Sequence, residues 1–369
     1  MKKIIVYLGF IIYFNPIWAQ VSNTGLLDTT NGTALDKLII SGYIDTYFGG
    51  TNAKITNSEI PYFVTMQRNN ELNVNLAFID LRYRTDNFRA RFIPGFGTYV
   101  NANYTNENGT LKNIIESSVG FKLFKNKNIW ADVGILGSPY TNESAISKDH
   151  LMYTRSFAPE YVPYYLSGVK FTLPLNQKFT AYLYLLNGWQ VIQDNNSKKS
   201  LGTQLEYRPN EYNLLNWNTF IGNEQSTLNP NFTMRYFSDL YWIYAKNKWS
   251  ATSCVYIGNQ ITNSDNTSKN NIWWQANLIG KYTFNSKYSL SGRIEYFKDP
   301  NNVQVVSTNL IPGFSSYSGG LCFNYNINKN AVFRLEARQF WADDNHYLSN
   351  IGNPDNKMTW IISNITAYF

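Results

Sequence analysis

The chain has 369 residues, of which 15% are charged and 17% aromatic, and its formal net charge is +7. Its 28 tyrosines and 23 phenylalanines favour pleated surfaces, so the composition indicates an all-β protein. No long basic run accompanies the positive charge, which argues against a nucleic-acid partner, and two cysteines are too few for a disulfide framework.

The first twenty residues have the pattern of a secretory signal. Lys2 and Lys3 precede an apolar stretch over 4–14, and the small residue Ala19 follows a helix-breaking proline. We expect cleavage after Ala19, which makes 1–19 a signal peptide, 20–37 a periplasmic N-terminal segment and 38–369 the folded domain. A membrane anchor is the weaker interpretation, because a spanning helix needs about 20 apolar residues. Loss of the two lysines lowers the charge from +7 to +5.

Alternating apolar and polar residues, separated by turn residues, predict about sixteen strands. Their spacing of about twenty residues suits the tall strands of a membrane barrel better than the hairpins of a sandwich. No stretch after the signal approaches ~18 consecutive apolar residues, so a closed barrel is the remaining way to span lipid. The predicted strands cover 38–49, 71–85, 87–103, 111–125, 128–138, 162–174, 176–188, 199–208, 212–223, 232–246, 248–260, 269–285, 287–299, 314–328, 330–341 and 356–369.

The predicted connections alternate between short and long. A transmembrane barrel has this asymmetry, with short periplasmic turns at one rim and long extracellular loops at the other. The pattern therefore predicts a transmembrane antiparallel β-barrel of about 16 strands. The long connections fall at 50–70, 104–110, 139–161, 189–198, 224–231, 261–268, 300–313 and 342–355.

The strand faces differ in polarity, as the segment AVFRLEARQFW (331–341) shows. Leu335 lies on an apolar face, whereas Arg334 and Glu336 lie on the other. A basic residue at mid-membrane on the lipid face costs about 2 to 4 kcal/mol, so the charged face is predicted to line the lumen. The second strand loses its phase, which predicts a bulge near 78–80. Aromatic residues near predicted strand ends suggest an interfacial girdle, and the alternative is that Tyr and Trp simply favour strands. The candidates are Tyr161, Tyr164, Tyr165, Trp189, Trp249, Trp273, Trp341 and Trp360.

Eight stretches carry a family resemblance: GYIDTYFG (42–49), RNNELNVNLAFIDLRY (68–83), GTYVNANY (97–104), NIIESSVGFKL (113–123), IWADVGILGS (129–138), NESAISKDHLMYTRS (142–156), PYYLSGVKF (163–171) and LNGWQ (186–190). They resemble the OmpL-like β-barrel porins of Gram-negative outer membranes. The resemblance is dense over 42–190, and it implies an outer-membrane pore without identifying its solute. The terminal ITAYF resembles the aromatic last strand that barrel assembly machinery recognises, so this machinery and outer-membrane lipid are expected partners.

Charged residues on the predicted inner face suggest the character of such a pore. Eight are basic and four acidic, and because rings of Arg and Lys attract anions, a mild anion preference follows. Ordinary solvated charges without selectivity remain the alternative. The predicted pore-lining residues are Arg89, Arg91, Glu116, Lys122, Lys170, Glu206, Arg208, Arg293, Glu295, Arg334, Glu336 and Arg338.

The third long connection is a candidate constriction. In many porins this loop folds into the lumen, so the resemblance implies that Glu143, Lys148, Asp149 and Arg155 narrow the pore. A loop lying flat outside the barrel is the alternative.

The predicted function is an outer-membrane porin that passes small hydrophilic solutes or ions by diffusion, without enzymatic activity, cofactor or metal. His150 and His346 are the only histidines, and neither has the spacing of a metal site. Two alternatives remain: a lipase-like or protease-like barrel enzyme, for which Ser147 near His150 is the candidate pair, and a barrel with a closed lumen that binds a surface polymer. Porins often form trimers, so a homo-oligomer is compatible with this interpretation, and no nucleic-acid partner is expected.

Overall fold

A computed structural model describes residues 33–35, 37–55, 58–264, 267–305 and 311–369. Sixteen long strands form one closed antiparallel barrel, as predicted. The predicted signal peptide, 1–19, and most of the segment 20–37 lie outside the described residues. The barrel strands are β1 Leu38–Thr51, β2 Leu72–Arg84, β3 Phe88–Phe96, β4 Ile114–Phe124, β5 Lys127–Gly137, β6 Tyr165–Pro174, β7 Phe179–Leu186, β8 Ser200–Asn210, β9 Asn213–Asn223, β10 Phe232–Lys246, β11 Trp249–Ser264, β12 Thr267–Thr283, β13 Tyr288–Asp299, β14 Phe314–Asn328, β15 Ala331–Ala342 and β16 Lys357–Tyr368.

The first and last strands close the barrel. β1 pairs with β16 from Tyr43 opposite Tyr368 to Thr51 opposite Trp360. The terminal Phe369 adds two backbone hydrogen bonds to Gly42, of 3.1 and 3.2 Å. Closure leaves the barrel sheet without an unpaired edge, which a sheet in lipid requires.

Short additional elements decorate the barrel. The strand Thr33–Leu35 pairs with the start of β1, and Tyr347–Leu348 pairs with Pro354–Asp355 in the last long loop. The α-helices Thr98–Asn103 and Phe157–Glu160 and the 3-10 helices Gly109–Asn113 and Ser147–Asp149 lie in the second and third long loops. Among the described residues, no helix is both long and apolar enough to cross a bilayer.

The polarity of the two faces is as predicted. Leu335 and Ile294 are 46% and 66% exposed, whereas Arg334 and Glu295 are 3% and 5% exposed. The apolar side chains therefore point outward to lipid, and the charged ones point into the barrel.

Three predicted features are wrong: the end of one strand, the position of the bulge and the length of one connection. The strand predicted at 87–103 ends at Phe96, because Gly97 has a φ of 131° and turns the chain into a helix. The bulge lies at Asn75 and not at 78–80: Asp45 pairs with Leu76 and Thr46 with Val74, so the β1–β2 ladder skips Asn75. The connection predicted at 261–268 is shorter, because the β11–β12 ladder continues from Ile261 to the Ser264–Thr267 pair.

Candidate functional site

The twelve predicted pore-lining residues all lie on the inner face of the barrel, but they differ in exposure. Arg89, Lys122 and Arg208 are partly exposed, and all three are basic. The other nine are buried beneath neighbouring side chains or loops: Arg91, Glu116, Lys170, Glu206, Arg293, Glu295, Arg334, Glu336 and Arg338.

Ion pairs connect many of these charges to acidic residues that sequence reasoning missed. Asp80 lies 2.8 Å from Arg91, and Asp132 lies 2.5 Å from Arg89. Asp80 follows the bulge in β2, so its face could not be assigned without the correct bulge position. Asp132 shares the inner face of β5 with Trp130 and alternates with apolar residues, which is a signal that could have found it. The missed carboxylates reduce the basic excess that the sequence predicted.

A second charge cluster lies across the lumen on β13 and β15. Arg293 contacts both Glu295, at 3.2 Å, and Glu336, at 2.9 Å, and Arg338 pairs with Glu295. The side chains of all four residues are fully buried. Buried charges of this kind are stable only when each is paired and hydrogen-bonded.

The third long loop, 138–164, lies inside the barrel and supplies the remaining partners of this cluster. Glu336 accepts the backbone N–H groups of Tyr153 and Thr154 at 2.9 and 2.8 Å, and the Thr154 hydroxyl as well. Glu295 accepts the N–H of Phe157 at 2.6 Å. We call this group the loop latch: Arg293, Glu295, Glu336 and Arg338 together with the loop backbone at 153–157.

Further hydrogen bonds hold the same loop along β9 to β12. The Thr141 N–H donates to Asp239 of β10 at 2.7 Å, and the Asn142 amide donates to Asn277 of β12 at 3.0 Å. Asn218 of β9 donates to the Pro139 carbonyl at 3.0 Å. The loop therefore follows one side of the inner wall over several strands.

The four predicted constriction residues are all enclosed within the barrel. Glu143 accepts the Ser156 N–H at 2.9 Å, and the Arg155 guanidinium binds the carbonyls of Ser144 and Ala145. These two residues shape the loop itself.

The other two predicted constriction residues lie towards the short-turn rim. Lys148 lies 3.3 Å from Asp149 and 4.7 Å from the ring centroid of Tyr368. Burial raises the pKa of the Asp149 carboxyl to about 7, although Lys148 and Arg334 oppose this shift. This carboxyl therefore titrates near neutral pH.

The first long loop adds an aromatic layer that sequence reasoning did not predict inside the lumen. Glu160 accepts the Val64 N–H at 2.8 Å, and this contact draws the first loop onto the third. The Phe63 ring stacks on Phe157, with centroids 5.5 Å apart, and its centroid lies 5.4 Å from that of the tilted Trp360 ring. Aromatic side chains thus pack against the third loop near the long-loop rim.

The predicted aromatic girdle is wrong for most of its members. Trp249 and Trp341 do face outward, at 59% and 43% exposure. Trp273, Trp360 and Tyr165 are buried, because loops cover the inner face at the long-loop rim and give these rings apolar neighbours. Tyr161, Tyr164 and Trp189 also pack against these inner clusters.

Two small cavities lie beside the third loop. One cavity lies between the loop tip and β1–β3, where Tyr43, Asp80, Arg91 and Lys148 contribute to its lining. A second lies between Glu143 of the loop and Ile115 of β4. Towards the short-turn rim, Arg89 of β3, Lys122 of β4 and Arg208 of β8 are partly exposed on the inner face, and we call the solvent-accessible space inside this rim the vestibule.

The candidate catalytic pair does not form a dyad. His150 accepts the Ser144 N–H through Nε2 at 3.1 Å, and Ser147 lies 2.8 Å from the Tyr43 hydroxyl. Burial lowers the pKa of His150 well below its usual range. Among the described residues, no group of three or more His, Cys, Asp or Glu side chains is arranged to hold a metal ion. Cys254 and Cys322 are free and buried.

The family model described as "Putative beta-barrel porin-2, OmpL-like" matches residues 37–369. The chain belongs to this family. The protein is thus an OmpL-like porin-type barrel of the Gram-negative outer membrane, and the family resemblance seen in the sequence is confirmed. No curated protein matches the chain.

Solved outer-membrane barrels share the fold of this OmpL-like porin. The channel DcaP of Acinetobacter baumannii has a TM-score of 0.61 and 8% identity, covering 92% of this chain and 99% of its own. The anion-selective porin of Comamonas acidovorans has a TM-score of 0.58 and 8% identity, covering 90% and 99%. The trimer form of Vibrio cholerae OmpT has a TM-score of 0.56 and 11% identity, also covering 90% and 99%. At these identities the likeness establishes the fold alone.

Proposed function

We propose that this OmpL-like porin lets small hydrophilic solutes and ions diffuse across the outer membrane, between the third loop and the wall formed by β1–β4. The observation that carries the proposal is the placement of charge on the inner face of a cylinder whose outer face is apolar. Hydrogen bonds hold the loop on β9–β15 and, through Ser147 and Tyr43, on β1 as well. The two small cavities lie between the loop and β1–β4. The twelve inner-face residues then line or support the path, and the third loop narrows it.

A mild preference for anions follows from which member of each ion pair faces the vestibule. The Arg89 side chain is 22% exposed and its partner Asp132 only 7%. Arg208 is 29% exposed and its partner Glu206 only 8%. Because water-filled space meets the cation of each pair, the local potential there favours anions although the charges are formally balanced.

Reconstitution into a planar bilayer tests both parts of the proposal. Stepwise conductance is expected for the pore, and a reversal potential in a KCl gradient should show chloride as the more permeant ion. Arg208→Gln should lower the chloride-to-potassium permeability ratio, whereas Lys329→Gln, which removes an exposed charge from the β14–β15 turn, should leave it unchanged. Absence of conductance steps would contradict the pore, and an unchanged ratio in Arg208→Gln would contradict the anion preference.

The remaining expectations have indirect support. The His150 ring accepts the Ser144 N–H and the Ser147 hydroxyl lies beside that of Tyr43, an arrangement that supports a channel rather than a barrel enzyme. The trimer form of Vibrio cholerae OmpT makes a homo-oligomer a reasonable assembly for this chain. The paired β16 strand ending at an aromatic residue fits recognition by barrel assembly machinery, and the apolar outer face fits a lipid environment. Cross-linking in native membranes would test the oligomer, and a single protomer band would contradict it.

A further inference from the structure

One patch of the inner wall contains more basic side chains than carboxylates. Along one row of the sheet, Arg89 of β3 lies opposite Gly120 of β4, then Asp132 of β5 and Lys170 of β6. Lys122 lies one row nearer the short-turn rim, opposite Trp130. We call these residues the β3–β6 basic patch: Arg89, Lys122, Trp130, Asp132 and Lys170.

Asp132 is the only carboxylate of this patch. Its two oxygens lie 2.6 and 2.5 Å from Nε and Nη2 of Arg89, and Nζ of Lys170 lies 3.7 Å away. Lys122 forms no ion pair with any residue that the structure describes. Three cations and one carboxylate give the patch a net charge of about +2 at neutral pH.

Neighbouring charges do not cancel this excess. Asp80 contacts Arg82 at 3.3 Å and Arg91 at 2.8 Å, and Glu116 contacts Arg91 at 3.3 Å. Glu116 also interacts electrostatically with Lys170, so the two groups are counted together. The five cations are Arg82, Arg89, Arg91, Lys122 and Lys170, and the three carboxylates are Asp80, Glu116 and Asp132, so an excess of two positive charges remains on this part of the wall.

Glycines line the wall at the patch and let its side chains pack closely against the sheet. A Cβ at Gly120 would lie 2.3 Å from the Asp132 carboxylate, so a residue without a side chain lets the charges reach this wall. Gly134 and Gly168 occupy adjacent positions in the next row towards the long loops. Beneath the cations, the Trp130 ring lies 4.5 Å from the Arg89 guanidinium and fixes its plane.

We propose that the β3–β6 basic patch is a binding site for small multivalent oxyanions, such as inorganic pyrophosphate and phosphate esters. The inference rests on the proposed function, because solutes must reach the vestibule from the short-turn side. A multivalent oxyanion neutralises the excess charge and presents several separate acceptor oxygens to the donors of the patch, whereas chloride carries one charge on one atom. Asp132 holds Arg89 in place, while Lys122 and the partly exposed edge of Arg89 face the anion.

Isothermal titration of pyrophosphate into the detergent-solubilised, full-length protein at low salt tests the site without any need for conduction. One binding event per barrel is expected, with chloride binding far more weakly. Lys122→Gln should weaken pyrophosphate binding roughly tenfold, because it removes one charge-assisted contact. Lys122→Arg should restore most of the affinity, and Lys329→Gln, at an exposed turn elsewhere on the same rim, should behave as the wild type.

Two outcomes overturn the inference: no pyrophosphate binding to the folded barrel, or equal affinity in the wild type and Lys122→Gln. Neither outcome affects the proposed function if the bilayer experiment shows anion-preferring conductance. Pyrophosphate binding to a barrel that never conducts would instead retain the site and refute the diffusion pathway.

Discussion

Removing the charge of Glu336 should release the third loop from the wall. In Glu336→Gln the side chain keeps its size, but the amide nitrogen cannot accept hydrogen bonds and would face Arg293, another donor. Each hydrogen bond to a charged group contributes ~1.5–3 kcal/mol, against ~0.5–1.5 kcal/mol for a neutral one. Over the three bonds that Glu336 accepts from Tyr153 and Thr154, the loop loses about 3 kcal/mol.

Two native thiols report whether the loop leaves. The Tyr153 backbone contacts the Cys322 sulfur, and the Asn142 backbone contacts the Cys254 sulfur, so the loop covers both. If the loop recloses faster than the thiol reacts, maleimide labelling follows the released fraction. A change of about 3 kcal/mol then accelerates labelling of Cys322 on the order of 100-fold.

Controls separate loop release from unfolding. Glu206→Gln removes a carboxylate from β8 that pairs with Arg208, and it should leave the labelling of Cys322 unchanged. Heat-modifiable migration on gels should show that both variants remain folded barrels. Equal labelling rates in wild type and Glu336→Gln, with both proteins folded, would refute the latch as the element that holds the loop.

Three further predictions address the wall, the loop tip and the outer face. Gly134→Ala should destabilise the barrel by about 2–4 kcal/mol, because Gly134 has a φ of 137° and a Cβ there would lie 2.1 Å from a backbone oxygen. Gly280→Ala should leave thermal unfolding unchanged, because the space around Gly280 is open. The raised pKa of Asp149 means that its contribution to loop stability is complete in acid and is lost as pH rises through about 7. Protease sensitivity of the loop should therefore be greater at pH 8 than at pH 5.5. Asp149→Asn should remove this difference. Leu335→Arg should lower the folded yield in vesicles, since an outward Arg at mid-membrane costs about 2–4 kcal/mol; an unchanged yield would contradict a lipid-facing position.

The sequence was sufficient to predict the barrel and the direction of its faces. The period-two alternation of β15 shows which side chains share a face. Because an Arg side chain is costly in lipid, Arg334 and Arg338 then identify the inner face. The alternation of short and long connections similarly predicts closure and strand number. Both patterns are local, so they can be interpreted without knowing which distant residues are in contact.

The contents of the lumen could not be predicted in the same way. Glu336 and Thr154 are 182 residues apart, and Glu160 and Val64 are 96 apart. The sequence around each of these residues does not predict that a carboxylate on the barrel wall will accept hydrogen bonds from the N–H groups of a loop. The aromatic residues at strand ends failed for the same reason: Trp273 and Trp360 become apolar core only once two loops have entered the barrel.

This difference changes how charge in the lumen should be counted. Arg338 was predicted to line the pore, but it is enclosed by Glu295, the Arg155 carbonyl at 2.8 Å and the Phe63 ring at 4.8 Å. Its charge stabilises the loop and is shielded from permeating ions. Substituting it would alter selectivity indirectly, by moving the loop, whereas substituting the partly exposed Arg208 changes the field that an ion meets. Arg208→Gln should change selectivity without increasing thiol labelling, whereas Arg338→Gln should change both. This result would distinguish the charges that hold the loop from the charges that face solutes.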